Sequence, residues 1–121
     1  MAMLTNRVQL IGHLGTDPEK RSFESGTKRS SFSLATTSNY KNGEGEWVKD
    51  TQWHRIICWG KAADKVEDKL KKGDKILLSG KLTYRSYKDE KGDTHYVTEV
   101  VADDTQLLIS NANKEKETKA A

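Results

Sequence analysis

Alternation with a period of two runs through most of this chain and gives way to a helical period only once, in "KAADKVEDKLKKG". That feature confines the fold to strands plus one short helix. "NRVQLIGHLG" turns Val8, Leu10 and Leu14 to one side and Arg7, Gln9 and His13 to the other; Ile11 breaks the polarity, so both faces are expected to be partly covered. "RSSFSLATTSNY" points Phe32 and Leu34 at a core. "YKNGEGEW", with Asn42-Gly43 and Gly45, predicts a hairpin, and "KDEKGDTH" another tip. "TQWHRIICWG", "DKILLSGKLTYRSY" and "HYVTEVVAD" are the other strands, with "TQLLI" a sixth short strand or an extension of the fifth. "GTDPEKRSFESGTK", with the only proline, reads as a loop. In the helix, about three turns long, Ala63, Val66 and Leu70 share a face; Lys71 and Lys72 fall in the last turn and Gly73 just past it.

Three strands, a helix and two further strands, with Gly80 placed for a sharp bend, fit an all-β architecture. The expected fold is a five-stranded Greek-key barrel with one short helix between strands 3 and 4, the element order of the OB-fold; another small β-barrel would suit the pattern too. A chain of 121 residues is expected to form one domain, over 1–110. A short disordered tail is expected over 111–121, where no apolar residue is larger than alanine.

Hydrophobic residues at 34% against 32% charged imply a small core under a heavily charged surface. The net charge of +3 is too mild to establish a polyanionic partner, so the placement of the cations matters more than their total. Cys58 is the only cysteine, which fits a reducing, cytoplasmic compartment. The N-terminus lacks the apolar run of a signal peptide, and no segment is apolar enough to span a membrane.

In the third strand Trp53, Arg55, Ile57 and Trp59 have one parity and Gln52, His54, Ile56 and Cys58 the other. If Ile56 and Cys58 point inward, two tryptophans and an arginine face out, with Ile57 covered by a neighbour. In the fourth strand Ile76, Leu78, Gly80 and Leu82 go inward, leaving Lys81, Thr83, Arg85 and Tyr87 outside. Trp47 adds an aromatic beyond the hairpin tip. Tyr40 has core parity and joins this face only through a bulge or a bend. Tyr84 also has core parity and reads as packing or an oligomer contact; Tyr96 and Phe23 carry no signal separable from packing.

Rings interleaved with cations suit single-stranded nucleic acid. A ring replaces lost base stacking at roughly 1–3 kcal/mol per base, and stacking barely distinguishes one base from another. Arg55, Lys61, Lys81 and Arg85 are the candidates for phosphate contacts. Outward tryptophans also occur at subunit contacts, so a protein-binding face stays a rival reading. An RNA-binding barrel is another. An enzyme is the weakest: His13, His54 and His95 are scattered without ligand spacing, and Asp103 and Asp104, adjacent on a strand, point oppositely. No catalytic residue, metal site or cofactor is expected.

The segments "NRVQLIGHLGTDPEKR", "FSLATTSNY", "TQWHRIICWGKAAD", "LKKGDKILLSGKL" and "HYVTEVV", in this order and spacing, resemble bacterial single-stranded DNA-binding proteins of the homo-oligomeric OB-fold type. The resemblance runs from Asn6 to Ile109. It implies a non-enzymatic, nucleoid-associated homotetramer, or a pair of pseudo-symmetric dimers, wrapped by single-stranded DNA and serving replication, recombination and repair. Base stacking would fall on Tyr40, Trp53, Trp59 and Tyr87, and backbone contacts on Arg55, Lys61, Lys72, Lys81 and Arg85. Tyr40 and Tyr87 stand where the family usually has tryptophan, and Trp59 where phenylalanine is common. His54 would lie at a subunit contact. The family's tail ends in an acidic tip closing on hydrophobic residues that recruits replication and repair enzymes; "NKEKETKAA" has no such tip, which argues against tail-mediated recruitment here.

Overall fold

Five strands and one helical face turn their apolar side chains toward a common core in a computed structural model that describes residues 5–111. The elements are β1 (Val8–Leu14), β2 (Glu19–Ser22), β3 (Lys28–Lys41), β4 (Trp47–Trp59), α1 (Lys61–Lys69), β5 (Lys75–Lys88) and β6 (Thr94–Ile109). The sheet order is β1-β5-β6-β4-β3-β2, and a further β1–β3 pairing closes β1, β3, β4, β5 and β6 into a barrel. All pairings are antiparallel except the short β4–β6 contact, Ile56↔Val100 and Ile57↔Val101. This is the five-stranded OB-type barrel, with its helix between the third and fourth barrel strands.

The core is built from the residues that alternation turns inward: Leu14, Phe32, Leu34, Ile56, Cys58, Ile76, Leu78, Val100 and Ala102. Helix α1 closes one side with Ala63 and Val66, and Leu70 follows at its C-cap. Gly80 sits where the β5–β6 register shifts, its backbone against Val101 and Ala102, so a side chain there would collide with β6. The strand bends at the one residue without a Cβ.

Three loop tips share one construction. Phe23–Thr27, Asn42–Glu46 and Asp89–Asp93 are each closed by a hydrogen bond from the first residue's N–H to the fifth residue's carbonyl, at 2.9 to 3.0 Å. The fourth residue is glycine every time, at φ 87, 81 and 84 for Gly26, Gly45 and Gly92. Asn42 Oδ1 and Asp89 Oδ1 each accept two backbone N–H groups inside their turns. In "NGEGE" it is thus Gly45, not Asn42-Gly43, that takes the left-handed position.

Several expectations need correction. The proline-containing loop holds a strand: β2 pairs with β3 from Glu19↔Ser31 to Ser22↔Lys28. Its residues are all exposed, so no apolar alternation marks it. Helix α1 stops at Lys69, and Leu70 is already extended, at φ -112 and ψ 143. Lys71 and Lys72 therefore lie beyond the helix, in a Lys71–Asp74 turn with Gly73 at φ 90. Leu70, though extended, still packs in the core, where it is 4% exposed. Ile11, on the outer face of β1, is 52% exposed and so only partly covered. "TQLLI" extends the last strand, since β6 runs unbroken to Ile109. Residues 112–121 of the expected tail lie outside the described residues; Asn111 donates its N–H to Asp74 Oδ1 at 2.8 Å.

Candidate nucleic-acid interface

Strand β4 displays what its alternation predicts. Trp47, Trp53, Arg55 and Trp59 are exposed, while Ile56 and Cys58 are buried. Its ladder with β3 runs in unbroken register from Arg29↔Trp59 to Lys41↔Trp47. Directly paired residues share a face, so Trp53 stands beside Ala35 and Arg55 beside Ser33. These small neighbours leave the long side chains standing clear. Trp53 is 63% exposed, and its ring lies over Gly15, where a Cβ would strike it. Ile57 has the same parity but is buried, opposite Val101 of β6.

The outer faces of β5 and β6 continue this surface. Lys81, Thr83, Arg85 and Tyr87 pair with Val101, Glu99, Val97 and His95. Glu99 ties the strands together: Arg55 Nε donates to its Oε2 at 2.6 Å and Arg85 Nε to its Oε1 at 2.8 Å. The Glu99 side chain is only 8% exposed, whereas both arginines are about half exposed. Burial alone would raise the Glu99 pKa; the hydrogen bonds and charges of Arg85 and Arg55 outweigh it and hold the carboxyl below its ordinary range. The trio is two guanidiniums on one carboxylate, leaving one net positive charge on a fixed platform. Tyr87 stacks on His95 at 5.2 Å, and His95 Nε2 is 2.7 Å from Asp89 Oδ2.

The other residues singled out from the sequence divide. Trp47 shares the Trp53 face, with the Lys41 ammonium 5.4 Å from its ring centroid. Tyr40 is exposed but pairs with Val48 on the opposite face of the ribbon, and no bulge interrupts that ladder. Lys61 opens α1 directly after Gly60, whose φ of 59 turns the chain out of β4. Lys72 donates its N–H to Asp17 Oδ1 and flanks, with Lys69 and Lys71, a cleft of about 380 Å³. That cleft meets the groove of about 310 Å³ lined by Arg55 at Asp17, which borders both. His54 is half-buried, with Nε2 2.9 Å from Thr36 Oγ1. Tyr84 is 75% exposed, so the packing alternative is excluded.

Two features escape the sequence reading. Glu99 is the first, although a carboxylate of outward parity beside two arginines is its signal. The second is a cluster at the β2–β3 end. Arg21, Arg29 and Trp59 stand in one row across β2, β3 and β4. Phe23 stacks on Trp59 at 6.0 Å, and the Arg21 and Arg29 guanidiniums lie 5.1 and 5.5 Å from the Phe23 centroid. Reading this segment as a loop leaves Phe23 without a partner; "EKRSF" followed by Gly26 is the available hint. Among the described residues no three His, Cys, Asp or Glu side chains are grouped to hold a metal ion, and no helix is long and apolar enough to cross a membrane.

Known proteins share both sequence and fold. Residues 5–108 match the Single-strand binding protein family. The chain is 47% identical over 109 residues to Single-stranded DNA-binding protein 1 of Chlorobaculum tepidum, covering 89% of this chain and 67% of that one. It is 38% identical over 112 residues to Single-stranded DNA-binding protein 1 of Xylella fastidiosa, covering 92% and 82%. The Plasmodium falciparum SSB, solved in complex with ssDNA, superposes with a TM-score of 0.79 at 25% identity, over 92% of this chain and 99% of that one. The chain belongs to the Single-strand binding protein family.

Proposed function

We propose that this protein binds and protects single-stranded DNA with little regard for sequence, on the outer surface formed by β4, β6 and β5. Bases stack on Trp47, Trp53, Trp59 and Tyr87; Arg55, Lys61, Lys81 and Arg85 meet phosphates. Tyr40, exposed on the other face of the β3–β4 ribbon, meets the strand where it wraps around that arm, and Lys72 meets it at the turn after α1. The observation that carries this reading is Glu99, which holds Arg55 and Arg85 together between the aromatic side chains of β4 and β5. Cations set among exposed rings match a strand that offers a phosphate for every base.

The protein works as a homotetramer around which the strand wraps, in the cytoplasm at the nucleoid, during replication, recombination and repair. The exposed apolar side chains of Ile11 and Tyr84 support subunit contacts. One barrel offers four or five rings, and several barrels on one strand raise affinity through effective concentration.

The test is quenching of intrinsic tryptophan fluorescence by oligo-thymidine at low and high salt, with duplex DNA and oligo-uridine as controls. Quenching by the single DNA strand, weakened by salt, supports the reading. Trp53→Ala is expected to lose roughly 1–3 kcal/mol of affinity with the fold intact. Absence of binding, or binding indifferent to salt, would leave the face as a protein contact. Light scattering reads the subunit number, and a monomer overturns the tetramer.

A further inference from the structure

The arginines on the main face are neutralised in part by Glu99, but two others are not. Arg21 and Arg29 are directly paired across β2 and β3, an arrangement that repels. Among the described residues neither forms an ion pair with a carboxylate. Their contacts are aromatic: both lie over Phe23, and Arg29 also lies 5.9 Å from the Trp59 ring centroid. Arg29 Nε is buried with no hydrogen-bond partner. Two cations are thus held side by side, on aromatic supports, with their charge uncompensated.

The row Arg21–Arg29–Trp59 runs directly onto the end of the β4 strip. We infer that Arg21 and Arg29 form an additional phosphate subsite, which carries the single strand off Trp59 and onto the β2–β3 hairpin. The inference rests on the reading of the β4–β6–β5 surface as a single-stranded DNA interface. A phosphodiester between the two guanidiniums relieves their repulsion, while the adjoining base stacks on Trp59. Phe23 acts as a positioning residue, since its ring supports both arginines and the Trp59 indole.

Binding at phosphates releases counterions, so the subsite is read from the slope of log affinity against log salt. The probe is a long oligo-thymidine, with wild type compared to Arg21→Gln/Arg29→Gln. The expected result is a severalfold weaker complex at low salt and a slope shallower by about 0.7 for each phosphate that is no longer neutralised. Lys65→Gln/Lys75→Gln removes the same charge from α1 and the start of β5, away from the proposed contacts, and is expected to leave the slope nearly unchanged. Equal changes in both double variants would show a net-charge effect and overturn the subsite, as would an unchanged slope in the arginine variant. Arg21→Gln alone, at an exposed position, keeps the test decisive if loss of Arg29 impairs folding; it too must flatten the slope. Wild-type binding that ignores salt would instead overturn the interface reading itself, with the subsite falling alongside it.

Discussion

Gly15 forms the floor beneath Trp53: the indole lies so close to the Gly15 Cα that a methyl group there would overlap Cζ3, and Ser33 Oγ would stand only 2.8 Å from it. The Gly15 N–H is fixed by the Ser33 carbonyl at 2.9 Å, so the floor cannot easily retreat. The tryptophan is held at its height and tilt by the absence of a side chain below it.

Gly15→Ala should therefore weaken single-strand binding without touching a DNA-contacting residue. Its φ is not left-handed, so the backbone tolerates alanine, and the cost falls on the ring. A loss of about 1 kcal/mol of affinity is expected, within the stacking energy of one base, with a shift in tryptophan emission in the free protein. Unchanged affinity and emission would show that the indole has another equally good resting place.

Glu99 should give the protein an acid-sensitive clamp. Its folded pKa is depressed, so its contribution to stability is complete above the ordinary glutamate value of 4.5 and is lost as pH falls through the folded value. Asp89 behaves alike, depressed first by the hydrogen bond with His95 and then by backbone N–H groups. Glu99→Gln is expected to lower the melting temperature at pH 7, with the gap to wild type closing as pH falls below about 4.5. A gap that stays constant with pH would mean that the two arginines do not hold the carboxylate in its charged form.

How far the molecule is legible in its sequence depends on whether a residue's role is set by its own strand or by another. The outward parity of Trp53, Arg55 and Trp59 is plain because Ile56 and Cys58 mark the inner face of the same strand. The tips at Asn42–Glu46 and Asp89–Asp93 are plain because glycine falls between two alternating segments, whereas Phe23–Thr27, with the same left-handed glycine at Gly26, reads as a loop because β2 shows no alternation. Glu99 is not, since its meaning comes from arginines 44 and 14 residues away. Strand β2 is hidden because "EKRS" buries nothing and exists through its ladder with β3. Helix α1 reads too long because lysines suit both a last turn and a loop, and only the extended Leu70 decides between them.

Asp74 should matter more to stability than a polar residue in a turn usually does. It is 4% exposed, and its carboxylate accepts the Lys71 N–H at 2.9 Å and the Asn111 N–H at 2.8 Å. It thereby joins the turn after α1 to the end of β6, while its own carbonyl accepts the Leu14 N–H at 3.0 Å. Asp74→Ala strands two backbone donors and should cost about 2–3 kcal/mol in urea unfolding. Asp74→Asn keeps one acceptor oxygen and is expected to cost less. Equal costs for the two would show that charge, not hydrogen bonding, is what the site needs.

Cys58 offers a readout of the core that does not disturb it. Its side chain is fully enclosed, and burial pushes its thiol pKa up to about 12. At neutral pH the group is a protonated thiol, and the thiolate is the reactive form. Cys58 lies opposite Ser30 in the β3–β4 ladder and packs in the core with Ile56 and Val66, so a reagent reaches it only when the barrel opens. Alkylation by iodoacetamide at pH 7 should be negligible in the native protein and rise with urea along the same curve as loss of β-sheet circular dichroism. Labelling well before that transition would reveal a local opening of β3 from β4, and with it a flexible edge beneath the very strand that carries the tryptophans. Coincident curves would instead establish that the aromatic face rests on a barrel that opens only as a whole.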